Sequence, residues 1–325
     1  MILRIGVRAL EAMALCSLFA LAPGGLDRAQ GAEPVVLVLG TATPGGGFTA
    51  YGEALVETLS TIDSSLAIRL RSTAGSQENI PLLESGAIDL GLVEGTAAHE
   101  ALSGIGRTPA RLSVVAAMYP TPALFAVRAD SPHRTIGDLR GQRVVFGAAG
   151  SGFVLAARYV LDGLRLDLAK DFDAVLLQSA KDGPPMVLNG EAAAMWGGGS
   201  GWPPFQQIAD APKGARFIAP TAEEIARIRA RHPFLKPMTL PAGSYRGQDR
   251  DIATIGTWSL ILARPDLPEE VVYRFVRALH RSQPALGERL AQAEATTPAA
   301  TLVAVPLARL HSGTARYLRE VGLTR

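Results

Sequence analysis

A short apolar segment that ends in a glycine-rich turn and leads into an amphipathic stretch occurs twice in this chain. The first unit spans residues 35–48, VVLVLGTATPGGGF, and the second spans residues 143–153, RVVFGAAGSGF. Continuous apolar runs are typical of strands buried on both faces, as in parallel sheets covered by helices. Each unit therefore predicts a strand, a turn and a helix of an α/β protein.

The segments around these units continue the alternation of strands and helices. A short helix that ends at Ser85 is predicted with Ser76 or Asn79 as its cap, and Pro120 and Pro122 are expected to interrupt an extended segment. We predict an α/β fold with two lobes, each a mostly parallel sheet flanked by helices. The further predicted strands are 66–71, 88–92, 112–128, 174–177, 192–196 and 254–263, and the further helices are 136–139, 153–164, 223–231, 269–280 and 311–321.

The first 32 residues have the pattern of a secretory signal. Arg4 and Arg8 precede an apolar stretch, and Ala29 and Ala32 both suit a cleavage site. We assign residues 1–32 to a signal peptide and expect the mature chain in the periplasm; an uncleaved anchor is the alternative. Cys16 is the only cysteine, so the mature chain would have no disulfide and no thiolate metal ligand. No later stretch resembles a membrane span.

Charge and motif content exclude several classes of function. Lys and Arg number 32 against 30 Asp and Glu, and no basic run favours a nucleic-acid partner. The turns fit neither the G-x-G-x-x-G pattern for dinucleotides nor the Gly-Lys-Ser/Thr of a P-loop. Ser151 and Ser200 each miss the G-x-S-x-G pattern of hydrolases, and the five histidines lack metal-binding spacing. We expect no catalytic residue, no metal site and no cofactor.

The two glycine-rich turns are the best candidates for a binding site. Loops that follow parallel strands emerge at the carboxyl edge of the sheet, where α/β proteins bind their ligands. Glycines let a ligand approach the backbone, and the helix that follows offers free N–H groups and a positive dipole end. If the two lobes face each other, both turns point into one cleft that suits an anion; tight packing of strand on helix is the alternative explanation.

Further motifs follow one another along residues 35–322. The most specific is the block STAGSQENIPLLESG at 72–86; the others are LGTATPGGGF at 39–48, AIDLGLV at 87–93, AMYP at 117–120, VRAD at 127–130, IGDLRG at 136–141, VVFG at 144–147, GSG at 150–152, HPF at 232–234, PAGSY at 241–245 and ARPDLP at 263–268. In this order they resemble the TAXI family (TRAP-associated extracytoplasmic immunogenic proteins), the periplasmic solute receptors of TRAP transporters.

The resemblance implies a two-lobed periplasmic-binding-protein fold of the Venus-flytrap kind, similar to type II. Lobe I would comprise residues 33–126 plus 257–325, and lobe II residues 127–256. It implies a non-enzymatic, monomeric receptor that captures a small carboxylated solute, an amino acid or organic acid, for a TRAP-type membrane permease. The alternatives are a receptor of an ABC-type transporter or a periplasmic sensor; an enzyme that uses Ser151 or Ser200 is least favoured because no base is placed beside either serine.

The resemblance also implies which residues bind the solute. Backbone N–H groups and hydroxyls would hold a carboxylate, and Phe48 would pack on the body of the ligand. Asn79 has an alternative role as a helix cap, and Tyr119 has one in core or hinge packing. The implied residues are Thr41, Gly46, Gly47, Phe48, Gly75, Ser76, Asn79, Tyr119, Gly150, Ser151 and Gly152.

Two further candidates come from this chain's own features. A glycine-rich run, residues 197–201, is flanked by Trp196 and Trp202; we predict Trp202 in the pocket wall and Trp196 in the lobe core, the reverse being the alternative. Such a wall points to a solute that is larger or more apolar than the usual amino and keto acids. Glu94 ends the third strand and would accept an ammonium group; an exposed position at the edge is the alternative.

Overall fold

The computed structural model describes residues 35–325. The predicted signal peptide and Cys16 lie outside the described residues. Within this range, no helix combines the length and the hydropathy that crossing a membrane requires.

Ten strands form the sheet system of the described chain. The central strands have continuous apolar sequences, whereas the strand at one edge, residues 66–71, alternates apolar and polar or small residues. The strands are β1 Val35–Gly40, β2 Leu66–Arg71, β3 Leu90–Val93, β4 Ser113–Arg128, β5 Arg143–Ala148, β6 Asp173–Leu177, β7 Ala194–Gly198, β8 Ala215–Ile218, β9 Lys236–Leu240 and β10 Ile252–Ala263.

Helices cover both faces of the sheets. The first helix buries Tyr51, Leu55 and Leu59, which are spaced by four residues and so share one face. The helices are α1 Gly47–Ile62, α2 Ser76–Glu84, α3 Gly95–Ser103, α4 Gly152–Gly163, α5 Gly183–Asn189, α6 Pro203–Asp210, α7 Ala222–Arg231, α8 Glu269–Arg289, α9 Pro298–Ala304 and α10 Ser312–Glu320.

The two halves of the sheet system have the same strand order. In the first half, β2-β1-β3-β10-β4, strands β1, β2 and β3 are parallel and β10 is antiparallel to its neighbours. In the second half, β6-β5-β7-β4-β8, strands β5, β6 and β7 are parallel and β4 is antiparallel to its neighbours. Each half is therefore a mostly parallel sheet with one long antiparallel strand.

The long strands β4 and β10 connect the two halves. Strand β4 pairs with β10 as far as Pro122 and with β7 from Ala123 onward. Strand β10 pairs with β9 as far as Gly256 and with β3 from Leu260 onward. Pro120 and Pro122 lie inside β4 and do not interrupt it, contrary to the prediction. Both lie beside the point where β4 changes partners, where a missing N–H disturbs the ladder least. The division into lobes I and II at residues 126/127 and 256/257 stays a prediction.

Four apolar clusters fill the spaces between sheets and helices. In the first half they lie around Leu39 and Tyr51 on one face and around Leu83 and Val114 on the other. In the second half, one surrounds Phe125 and its aromatic neighbours, and the other lies beneath α5 and α6. Burial on both faces explains why the strand sequences are apolar without alternation.

Several elements differ from the prediction. Helices α3, α5, α6 and α9 and strands β8 and β9 were not predicted; α5 and α6 begin in Pro-containing sequence that resembles a loop. Helix α8 continues to Arg289, past Pro284, and so exceeds the predicted end at residue 280. The N-cap of α2 is Gly75, so the predicted caps Ser76 and Asn79 are both wrong.

Candidate functional site

The two glycine-rich turns face each other across a small cavity between the predicted lobes. Its volume is about 50 Å³, which leaves room for only a few water-sized groups, at roughly 10–15 Å³ for each water. The expectation of a larger or more apolar solute stays a prediction. The cavity is lined by Ala42, Thr43, Gly46, Gly47, Phe48, Ala74, Gly75, Ser76, Glu94, Tyr119, Gly147, Ala148, Ser151, Phe153, Ala180, Met195, Trp196 and Trp202.

Five helices begin at this cavity. Their N-cap residues, Gly46 of α1, Gly75 of α2, Glu94 of α3, Ser151 of α4 and Trp202 of α6, all line it. The first amides of a helix have no carbonyl partner within the helix and carry the positive end of its dipole. Among the described residues that line the cavity, none is a lysine, arginine or histidine. The described lining therefore offers an anion backbone amides and no cationic side chain.

The lobes are in contact on both sides of the cavity. On one side, the amide of Ala180 donates to Thr43 Oγ1 at 3.2 Å and Ser179 Oγ donates to the carbonyl of Pro44 at 3.0 Å. On the other side, the amide of Gln77 donates to the carbonyl of Gly150 at 3.1 Å. The chain is therefore in a closed conformation.

Gly150 and Gly152 lie in this contact and not in the cavity wall. A Cβ at Gly150 would lie 2.7 Å from the Cβ of Ala74, and one at Gly152 would lie 2.5 Å from the Cβ of Glu94. Both positions therefore need glycine for the close approach of the lobes. Ser151, between them, lines the cavity, and its hydroxyl accepts a hydrogen bond from the amide of Phe153 at 3.1 Å.

Aromatic side chains form much of the cavity wall. Trp202 and Phe153 have ring centroids 5.4 Å apart. Trp196 is fully buried, lies 4.8 Å from the ring of Phe125 and donates from Nε1 to the carbonyl of Phe153 at 2.8 Å. Trp202 thus lies in the wall as predicted, while Trp196 combines a core position with contact to the cavity.

The glycine-rich run at residues 197–201 is explained by close packing. A Cβ at Gly197 would overlap the ring of Trp202, and one at Gly198 would overlap the carbonyl oxygen of Pro122 in β4. Gly199 has a φ of +107° and lies against the side-chain amide of Gln292. The run lets Trp202 fold back over the end of β7 and form the cavity wall.

Glu94 is buried, so the alternative of an exposed position at the edge is wrong. Its side chain is only 2% exposed and accepts hydrogen bonds from the amide of Thr96 at 2.8 Å and from the hydroxyl of Thr257. Burial raises the pKa of this carboxyl to about 7, and its hydrogen bonds oppose that shift in part. Among the described residues that line the cavity, Glu94 is the one acidic side chain.

Asn79 and Thr41 lie behind the cavity wall. The Asn79 amide donates to the carbonyls of Thr41 and Leu92, each at 2.8 Å, and accepts from Thr73 Oγ1 at 2.9 Å. It therefore joins the turn after β1 to strand β3, and is neither a helix cap nor a lining residue. Thr41 Oγ1 is directed to the carbonyl of Arg71 at 3.2 Å.

Tyr119 and Ser76 reach the cavity from buried positions. Tyr119 packs 5.8 Å from the ring of Tyr51, and burial raises the pKa of its phenol. A Cβ at Gly47 would lie 3.2 Å from the hydroxyl oxygen of Tyr119, so the Tyr119 side chain reaches the first glycine-rich turn. Ser76 Oγ accepts from the amide of Glu94 at 3.0 Å. Tyr119 is therefore both a core residue and a lining residue.

Of the predicted binding residues, nine line the cavity: Gly46, Gly47, Phe48, Gly75, Ser76, Glu94, Tyr119, Ser151 and Trp202. The prediction missed Phe153, although it ends the second glycine-rich unit and matches Phe48 in the first. Ala180 and Met195 were not predictable, because they come from separate elements whose position depends on the packing of lobe II.

A closed, two-lobed α/β chain with a small cavity beneath five helix ends has the fold of the two-lobed periplasmic binding proteins. The chain belongs to the NMT1-like family, whose model matches residues 39–322. The matched residues are nearly the same as residues 35–322, along which the motifs of the sequence resemblance lie.

Solved structures share the fold at low sequence identity. One described as a periplasmic transporter has a TM-score of 0.53 at 15% identity, covering 82% of this chain and 88% of its own. A protein from Bordetella bronchiseptica RB50 has a TM-score of 0.53 at 12% identity, with coverages of 88% and 98%. A putative L-cystine ABC transporter from Listeria monocytogenes has a TM-score of 0.51 at 13% identity, with coverages of 81% and 98%. These matches confirm the predicted two-lobed α/β fold.

Proposed function

We propose that this chain is a periplasmic receptor that captures a small carboxylated solute between its lobes and delivers it to a membrane transporter. The observation that carries the proposal is the convergence of five helix N-termini on one enclosed cavity without a lysine, arginine or histidine among its described lining residues. Such a site binds an anionic group through backbone N–H groups. No covalent step is involved.

The carboxylate is proposed to lie against the start of α1. Gly47 and Phe48 are the first two residues of α1, and both line the cavity. Hydrogen bonds to a charged group contribute about 1.5–3 kcal/mol each, and a helix dipole adds roughly 0.3–1 kcal/mol. Two or three such bonds contribute about 3–9 kcal/mol, from which the cost of immobilising the solute is subtracted.

Closure couples binding to recognition by the transporter. The bonds from Gln77 to Gly150 and from Ala180 to Thr43 join parts of the chain that belong to different predicted lobes. A solute that contacts both lobes stabilises the closed form relative to the open one. In the closed form the two lobes together form a continuous outer surface that is absent from the open form. We propose that the transporter recognises this surface.

For the transporter class, we favour an ABC-type permease. The support is the family assignment together with the putative L-cystine ABC transporter among the similar structures. A TRAP-type permease is the second candidate, supported by the motif block at residues 72–86. In proteoliposomes, an ABC-type partner would hydrolyse ATP faster when the loaded receptor is added, whereas a TRAP-type partner would move solute with an ion gradient and no ATP.

The solute class is tested by thermal unfolding of the purified protein against a panel of amino acids, organic acids and uncharged solutes. A ligand at 100 times its Kd stabilises the folded state by about 2.7 kcal/mol, which raises the Tm by roughly 5–10 °C for a chain of this size. We expect this shift with one or two carboxylated solutes, each recovered unchanged. Consumption of the solute, or stabilisation by uncharged solutes alone, would contradict the proposal.

A further inference from the structure

A second cavity lies between helix α3, strand β9 with the turn before it, strand β10, and the end of α9 with the segment after it. We propose that this second cavity binds a small aromatic anion, a molecule with a carboxylate head and a flat apolar body. Its volume of about 340 Å³ is lined by aromatic rings, aliphatic side chains and two cations. The site goes beyond the proposed function, which concerns the first cavity, beneath the helix ends.

The second cavity is separate from the first. The two cavities share no lining residue, although Glu94 in the first and Gly95 in the second are adjacent in the sequence. Pockets that hold small organic molecules have volumes of about 300–1,000 Å³. The second cavity lies in this range, whereas the first encloses about 50 Å³. A molecule the size of a substituted benzene ring therefore fits the second cavity and not the first in its closed form.

The charge of the lining favours an anion. Lys236 and Arg309 line the second cavity, and among its described lining residues none is an aspartate or a glutamate. Within residues 35–325, neither cation forms an ion pair with a carboxylate; Lys236 Nζ donates to the carbonyl of Pro233 at 3.3 Å. Both cations are exposed. We therefore expect the anionic head at the mouth of the cavity, where the two positive charges attract it.

The rest of the lining favours an aromatic body. The ring of His99 stacks on that of Phe234, with centroids 4.0 Å apart and planes 12° apart, and Trp258 also lines the cavity. Burial lowers the pKa of His99, and the charge of Arg309 adds to this lowering while Glu100 opposes it. His99 is therefore neutral at pH 7 and contributes a ring, against which another ring packs favourably. The buried aliphatic lining residues are Ala98, Leu102, Val114, Leu260 and Val305.

The occupant of the second cavity would contact both predicted lobes. Phe234 and Lys236 belong to predicted lobe II, whereas His99 and Arg309 belong to predicted lobe I, so the stack of His99 on Phe234 joins the lobes at this point. A ligand that bridges the lobes in the closed form stabilises that form. By linkage it raises the affinity of the first cavity for its solute, and the solute raises its affinity by the same factor. This coupling rests on the proposed function; binding at the second cavity does not.

Calorimetric titration of the purified protein with phenylacetate and with phenylacetamide tests the site. The two molecules have the same ring and nearly the same shape, but only phenylacetate is charged. We expect phenylacetate to bind at least tenfold more tightly. Lys236→Gln and Arg309→Gln should each weaken phenylacetate binding at least fivefold, and Ala304→Trp, which fills the cavity, should abolish it. Arg229→Gln removes an exposed cation of α7 outside the lining and should bind as the wild type does.

Three results would refute an anion site at this cavity. The first is equal binding of phenylacetate and phenylacetamide, or no binding of either, by the wild type. The second is a loss in Arg229→Gln as large as that in Arg309→Gln, which would indicate attraction by net charge alone. The third is phenylacetate binding that persists in both lining variants, Lys236→Gln and Arg309→Gln, which would place the probe elsewhere. These two substitutions are at exposed positions, so they decide the matter if Ala304→Trp does not fold.

The coupling between the cavities has its own measurement. An added methyl at Gly150 would lie 2.7 Å from the Cβ of Ala74, across the contact between the predicted lobes, and so disfavours the closed form. Phenylacetate should bind Gly150→Ala at least fivefold more weakly than the wild type. An unchanged Kd would refute the coupling while the second site stands. The proposed function is decided separately by the solute panel, since that panel reports on the first cavity.

Discussion

A single methyl group at Gly150 should prevent closure without disturbing either lobe. In a Gly150→Ala variant, the new Cβ would lie 2.7 Å from the Cβ of Ala74 and 2.8 Å from its carbonyl oxygen, across the contact between the lobes. Apolar carbon atoms pack at about 3.5–4.0 Å, so the closed form has to open. The φ of Gly150 is not in the left-handed region, and alanine is therefore compatible with its backbone.

The expected size of the effect follows from the cost of overpacking, roughly 1–3 kcal/mol. If the closed form alone bears this cost, the Kd for the solute rises about 5- to 150-fold, since 1.4 kcal/mol corresponds to a factor of ten. The Tm of the ligand-free protein should change little, because the contact joins the lobes and is not part of either core.

Calorimetric titration of Gly150→Ala beside Gly137→Ala measures this effect. At Gly137 an added methyl meets nothing closer than Thr135 Oγ1 at 3.6 Å, so this control should bind as the wild type does. An unchanged Kd for Gly150→Ala would refute the closure argument. A large fall in the Tm of the ligand-free variant would show that Gly150 serves folding of a lobe and not closure.

Three further predictions follow from the cavity and its surroundings. Gly198→Ala should lower the free energy of unfolding by at least about 3 kcal/mol in urea, because the new methyl would overlap the Pro122 carbonyl. Asn79→Ala should lower it by about 1–3 kcal/mol, since the Leu92 carbonyl loses the donation from Asn79 while the Thr41 carbonyl keeps that of the Thr73 hydroxyl. The pKa of Glu94 is raised from 4.5 to about 7 in the folded protein. Between these pH values the native state binds more protons than the unfolded state, so the free energy of unfolding falls as the pH rises from 4.5 to 7, by up to about 3 kcal/mol. Glu94→Gln should lose this part of the pH dependence, and urea titrations at pH 5 and pH 8 measure it.

The site was predictable where local sequence determines it. The glycine-rich turns after β1 and β5 lie at the carboxyl ends of parallel strands, so connectivity places Gly46 and Gly47 at the carboxyl edge of the first half and Ser151 at that of the second. Phe153 could have been found in the same way, as the counterpart of Phe48. The geometry of a strand–turn–helix unit depends mainly on residues that are close in sequence, so the sequence alone could predict the position of these turns.

Other features depend on packing between distant segments. The burial of Glu94 requires Thr257 of β10, which is far away in the sequence. The role of the glycines at residues 197–201 depends on Pro122 in β4 and on the backward fold of Trp202. Nothing in the local sequence distinguishes these glycines from those of an exposed loop, so their function became visible only when the strands were brought together.

The most direct test of the account is small-angle X-ray scattering of the protein as the stabilising solute is added. We expect the ligand-free form to be more extended than the closed structure, and the radius of gyration to decrease to that of the closed structure in proportion to the bound fraction. A radius of gyration that stays the same at full occupancy, with the ligand-free protein already extended, would contradict capture by closure of the two lobes.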